Sequence, residues 1–147
     1  MAMENAFLKK LRADPRFRST ERISDPALLE PAFRRKVETI LKESRRRGQE
    51  YVLFETYRSR ERQAELFRQG VTQLRTVGVH HYGLAADLVR KVDGRLTWEA
   101  DYRLLGELAD AQGLVWGGRW KFRDAAHVQA IAVKDQAKLF RGEWFPS

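Results

Sequence analysis

The chain of 147 residues contains no cysteine. That absence removes disulfides, thiolate metal sites and cysteine nucleophiles, so any bound metal must be held by imidazole and carboxylate. Histidine is scarce as well, with three copies at positions 80, 81 and 127. No segment approaches the roughly 18 apolar residues of a membrane span. The opening stretch, MAMENAFLKKLRADPRF, lacks the apolar run of a signal peptide. The expectation is therefore a soluble chain made in the cytoplasm, which would reach anything beyond the membrane only through a hole made by another protein.

What is present bounds the class further. Hydrophobic residues make up 43% and charged residues 33%, the balance of a globular protein and not of a disordered one. The length suits one domain spanning residues 1–147. Lys and Arg number 28 against 20 Asp and Glu, a formal charge of +8. Such a surface either keeps the domain soluble or meets a polyanion, for which nucleic acid, anionic lipid and bacterial wall polymers all qualify.

Along the chain, Asn5 to Arg12 reads as an amphipathic helix stopped at Asp14-Pro15. A second helix starts near Pro31, with Phe33, Val37, Ile40 and Leu41 on one face and Arg34, Arg35, Lys36 and Glu38 on the other. Tyr51 to Glu55 reads as a strand, Arg60 to Gln69 as a helix closed by Gly70, and Gly78 to Gly83 as a loop. Leu84 to Val92 reads as a strand turned at Asp93-Gly94, and Thr97 as the cap of a helix running to Gly113. Leu114 to Trp116 and His127 to Ala132 complete the strands, and Val133 to Phe140 reads as a final helix. Strands interspersed with helices, with a hairpin and few crossovers, predict an α+β fold: a small, largely antiparallel sheet covered by helices.

The chemistry concentrates in two segments. In VGVHHYGLAADLV, His80 precedes Asp87 by seven residues, an odd separation that puts the two on opposite faces of any continuous strand. A bend at Gly83 resolves this and leaves Asp87 among apolar neighbours, where an unpaired carboxylate costs several kcal/mol and calls for a cation. In WGGRWKFRDAAH, Asp124 and His127 lie three apart, on one side of a turn or short helix. Two imidazoles and one carboxylate leave a fourth position open on a zinc ion, as in catalytic sites, and a spare carboxylate nearby can take the proton of an activated water.

These segments resemble the D-Ala-D-Ala carboxypeptidase group of metallopeptidases, peptidase family M15, and within it the L-alanyl-D-glutamate endopeptidases of phage and bacteria. The signature Ser-x-His-x-x-Gly-x-Ala-x-Asp appears from Gly78 through His80, Gly83 and Ala85 to Asp87, with Gly78 in place of serine. Trp116-Gly117-Gly118-Arg119-Trp120 is similar to a second element, often Trp-Gly-Gly-Asp-Trp, so that Arg119 reverses a charge. Tyr57-Arg58-Ser59 with Gln63 is similar to a third. The resemblance runs from about residue 25 to 142 and implies a Hedgehog/D-Ala-D-Ala peptidase-like fold. It further implies Zn2+ on His80, Asp87 and His127, Asp124 as general base, and Arg58 as the cation steadying substrate or oxyanion.

Gln63, His81, Trp116 and Trp120 are candidate substrate contacts, the two tryptophans being equally readable as core aromatics. The implied substrate is the peptidoglycan stem peptide, cut between L-alanine and D-glutamate by an endolysin-type enzyme, with anionic wall polymers held by the basic surface. The same site on a D-alanyl-D-alanine bond is the alternative. A zinc-containing module that only binds a polyanion is a third reading, against which stands the lack of any nucleic-acid motif.

Overall fold

The computed structural model describes residues 5–72 and 78–146. Helix α1 (Ala6–Ala13) begins where Asn5 Oδ1 accepts from the backbone N–H groups of Phe7 and Leu8. Helix α2 (Pro31–Arg46) starts with proline in its first turn, and the Glu30 carboxylate accepts from Phe33 N at 2.8 Å. Its Phe33, Val37 and Ile40 are buried as their spacing predicts, each contributing about 1.5–3 kcal/mol.

Strands β1 (Glu50–Glu55), β2 (Ala85–Val92), β3 (Arg95–Thr97), β4 (Val115–Trp116) and β5 (His127–Gln129) form one sheet ordered β1-β2-β5-β4, with β3 hairpinned onto β2. Each of these strand pairings is antiparallel, and the β2–β3 turn uses Asp93 and Gly94 at φ 51° and 77°. Helices α3 (Arg60–Arg68), α4 (Arg103–Ala111) and α5 (Gln136–Phe140) complete the α+β arrangement. Ala86 and Leu88 of β2 and Val128 of β5 pack with Val37, Ile40, Leu105 and Trp116 in the largest core cluster. The alternate residues of the same strands face the other way, which is where the polar site forms.

Two expected boundaries shift. Thr97 does not cap a helix: it pairs with Arg90 in β3, and α4 begins six residues later, where Asp101 Oδ1 accepts from Arg103 N at 2.9 Å. Trp98 packs edge-on against Phe54 instead of entering a helix. The ladder expected to run to Ala132 stops at Gln129, because its partner Ala85 is the first residue of β2 after the turn at Gly83.

Candidate metal centre

The sheet register assembles the site. Across three adjacent strands, Glu55 pairs with Asp87 and Asp87 with His127, so these side chains form a row on one face. Glu55 reaches that row through a bulge: β1 advances from Leu53 to Glu55 while β2 moves only from Leu88 to Asp87. His80 arrives separately, from a 3-10 turn over Val79–Tyr82 that ends at Gly83 with φ 69°. A Cβ at Gly83 would fall 2.6 Å from the Phe7 ring and 2.9 Å from Leu28 O, so glycine is required there by conformation and by space. That left-handed residue is the bend the odd His80–Asp87 separation demanded.

One ligand atom each from His80, Asp87 and His127 lies within 4.8 Å of the others, and all three residues are buried. The outward ring nitrogens fix which atoms face inward. His80 Nδ1 is 2.8 Å from Thr56 O, a carbonyl that can only accept, so Nδ1 carries the hydrogen. The Gln129 amide nitrogen donates to Ile131 O, which orients its Oε1 toward His127 Nε2 at 2.8 Å and places that ring's hydrogen on Nε2. The lone pairs of His80 Nε2 and His127 Nδ1 therefore both point at Asp87 Oδ1, each from 3.4 Å.

Three acceptors facing one another without a donor are repulsive, and Asp87 Oδ1 is a buried oxygen with no hydrogen-bond partner. A charge-assisted N–H···O bond would close to roughly 2.7–2.9 Å. A tetrahedral ion with bonds of about 2.0–2.2 Å instead spaces its ligands by about 3.3–3.5 Å, the separation found between Asp87 Oδ1 and each imidazole nitrogen. The donor set, the orphaned oxygen and the hydrogen bonds that fix both imidazoles thus fit a divalent metal of the zinc kind.

Electrostatics divide the surrounding groups. Desolvation pushes the Asp87 carboxyl up, but in the metal-free chain the positive charge of protonated His80 and His127, and the N–H groups they then present to it, outweigh it and hold the group well below the usual carboxylate range. Asp124 Oδ2 stands 3.8 Å from His127 Nδ1 on the solvent side. Desolvation in the cleft, reinforced by the charge of Asp87, raises its pKa despite the opposing His127, His80 and Arg58. Asp124, Asp87, Arg58 and Glu55 share a cleft of ≈ 530 Å³ with Arg62, Phe54 and Trp98.

The other expected site residues are dispersed. Arg58 lies beside the metal site, but its Nη2 is 2.7 Å from Glu55 Oε1 and 3.5 Å from Asp87 Oδ2, while Nη1 donates to Gln63 Oε1 at 3.1 Å. Gln63 is itself buried. His81 is not at the cleft: it is enclosed by the rings of Phe17, Tyr57 and Tyr82, and burial lowers its pKa. Consecutive residues on a tight turn point apart, which separates it from His80. Trp116 is also a core residue, its Nε1 donating to Ala125 O at 2.7 Å and its ring filling space that a Cβ at Gly106 or Gly118 would overlap. Trp120 does border the site, its ring centroid 5.1 Å from that of His127. Arg119 turns outward onto Asp110 at 2.7 Å, so the charge reversal is not felt in the cleft. Glu55, Arg62, Thr56 O and Gln129 belong to the site and were not singled out by the sequence; His-x-Gln on one strand face was the available signal for Gln129.

Residues 72–130 match the peptidase M15 family model described as D-alanyl-D-alanine carboxypeptidase. Over 126 residues the chain is 29% identical to the peptidoglycan L-alanyl-D-glutamate endopeptidase CwlK of Bacillus subtilis, covering 72% of this chain and 75% of that protein. Over residues 72–130 this chain resembles the peptidase M15 family. Among solved M15-like structures, the Serratia marcescens L-Ala D-Glu endopeptidase ChiX superposes with TM-score 0.61 at 29% identity, covering 85% of this chain and 97% of that one. The vancomycin-resistance D,D-pentapeptidase VanY in complex with Zn(II) shares the fold at TM-score 0.53 and 16% identity, over 77% of this chain and 78% of that one.

Proposed function

We propose that this M15 peptidase is zinc-dependent and hydrolyses the amide between L-alanine and D-glutamate in the peptidoglycan stem peptide. The observation that carries the reading is the convergence of His80 Nε2, Asp87 Oδ1 and His127 Nδ1 beside a cleft that also holds Asp124. Zinc held by those three residues would supply Lewis acidity, polarising the scissile carbonyl and lowering the pKa of water toward neutrality. Asp124, on the solvent side of His127, takes the water's proton and returns it to the leaving amine nitrogen as the C–N bond breaks. Its raised pKa suits a group that must both accept and release a proton near neutrality. Arg58 holds the outer oxygen of Asp87 and leaves Oδ1 to the metal, while Thr56 O and Gln129 keep the imidazoles turned inward.

The choice of bond is supported by CwlK and ChiX, both named L-alanyl-D-glutamate endopeptidases and both 29% identical to this chain. A second reading keeps every residue and moves the cut to D-alanyl-D-alanine; the description of the matching family model favours it. Digestion of purified murein with and without a chelator, with mass spectrometry of the fragments, tests both. New N-terminal D-glutamate in the metal-loaded digest alone is expected. Release of D-alanine selects the second reading, and hydrolysis that survives complete metal removal rejects the mechanism. The formal charge of +8 supports attraction to anionic wall polymers and a lytic, endolysin-type role. Loss of turbidity of killed cells should accordingly weaken as salt rises.

A further inference from the structure

We propose that Arg62 is the specificity-determining residue that receives a free carboxylate of the substrate, an inference that rests on the hydrolytic reading above. Glu55, 2% exposed, accepts from two guanidiniums: Arg58 Nη2 on Oε1 at 2.7 Å and Arg62 Nε on Oε2 at 3.2 Å. Arg58 spends both terminal nitrogens on protein acceptors, Glu55 and Asp87 through one and Gln63 through the other. Arg62 spends only Nε; among the described residues its two terminal nitrogens have no acceptor, and its side chain lines the cleft shared with Asp87 and Asp124.

Charge points the same way. With Asp87 committed to a metal, the group of Glu55, Arg58 and Arg62 keeps one uncompensated positive charge facing the cleft. Contact with Glu55 through Nε holds the guanidinium plane and leaves the Nη1–Nη2 edge, whose paired N–H groups match the two oxygens of a carboxylate. The ligand chemistry follows: a glutamyl residue joined through one carboxyl retains the other as a free anion. Ser59 caps α3 by accepting from Arg62 N at 2.8 Å, so the residue sits in a fixed first turn and not on a mobile loop.

The test compares two synthetic peptides containing the L-alanyl-D-glutamyl amide, one with the glutamyl carboxylate free and one with it converted to carboxamide. The zinc-loaded wild-type enzyme is expected to prefer the carboxylate in kcat/KM by roughly tenfold or more, the usual weight of a hydrogen bond to a charged group. In Arg62→Gln the preference should fall to near one, mostly through KM, and Arg62→Lys should restore part of it. A ratio that stays at the wild-type value in Arg62→Gln, whatever the absolute rate, overturns the proposal and leaves Arg62 as a mere partner of Glu55. If the wild type cleaves neither peptide, the bond assignment fails separately. Arg62 is then judged by calorimetric binding of the same uncleaved pair, with lost preference in Arg62→Gln supporting the proposal and equal binding by the wild type overturning it.

Discussion

Asp87 and Asp124 both approach His127 Nδ1, at 3.4 Å and 3.8 Å, yet the fold treats them oppositely. Asp87 is fixed mid-strand between two partner strands, and its side chain is 10% exposed; Asp124 lies outside the strands, and its side chain is 49% exposed. Two imidazoles hold the first ionised, and desolvation beside a like charge raises the second. The difference teaches that a carboxylate's role follows from what surrounds it: in the proposed mechanism one stays charged and holds a cation, and the other exchanges a proton.

The largest expected effects break that contrast outright. Asp87→Asn should lose both zinc and turnover, because a neutral amide cannot offset the ion; metal analysis after gel filtration checks this. Asp124→Asn should keep zinc at the wild-type stoichiometry while kcat falls by about 10²–10⁴-fold. If the two variants lose metal equally, the division of labour is wrong. Next in size, Gln129→Leu removes the acceptor that fixes His127 and should weaken zinc affinity by about 10–100-fold in competition with a chromogenic chelator.

A pH titration sharpens the same comparison. In the metal-free chain desolvation works against the charge on His127, but hydrogen bonding to Asp87 and the charges of Asp87 and Asp124 raise its pKa above the ordinary value. The proton therefore competes with the metal up to a higher pH than at a free imidazole, so zinc affinity falls as pH drops, and binding near neutrality releases a proton. Calorimetry in buffers of different ionisation enthalpy measures that release. The smallest effect is expected of Arg119→Asp, which exchanges an exposed ion pair for a solvent-screened repulsion with Asp110 and should leave the denaturant midpoint almost unchanged. A large loss of activity there would move Arg119 into the cleft.

The sequence carries the metal trio because His80, Gly83 and Asp87 encode a local event, a left-handed bend followed by a strand. Asp124 and His127 are legible for the same reason, being three apart on one turn, with His127 N donating to Asp124 O at 3.1 Å. Glu55 was hidden because its place opposite Asp87 depends on a bulge that no propensity marks. Arg62 was hidden behind Arg58, since only the tertiary contacts reveal which guanidinium still has donors to offer. His81 and Trp116 stayed open because aromatic residues near a motif suit a cleft lining and a core equally, and only the tertiary structure shows that glycines at 106 and 118 make room for Trp116 in the core. The helix expected from Thr97 failed because hairpin pairing with Arg90 claims that residue first.

The most direct test of the central claim is an anomalous-scattering map, recorded at the zinc edge, from crystals of the chain grown with zinc. A single strong peak within bonding reach of His80 Nε2, Asp87 Oδ1 and His127 Nδ1, with one side open to the cleft holding Asp124, is the predicted result. Zinc bound elsewhere, or a peak closed off by a fourth protein ligand, would contradict it.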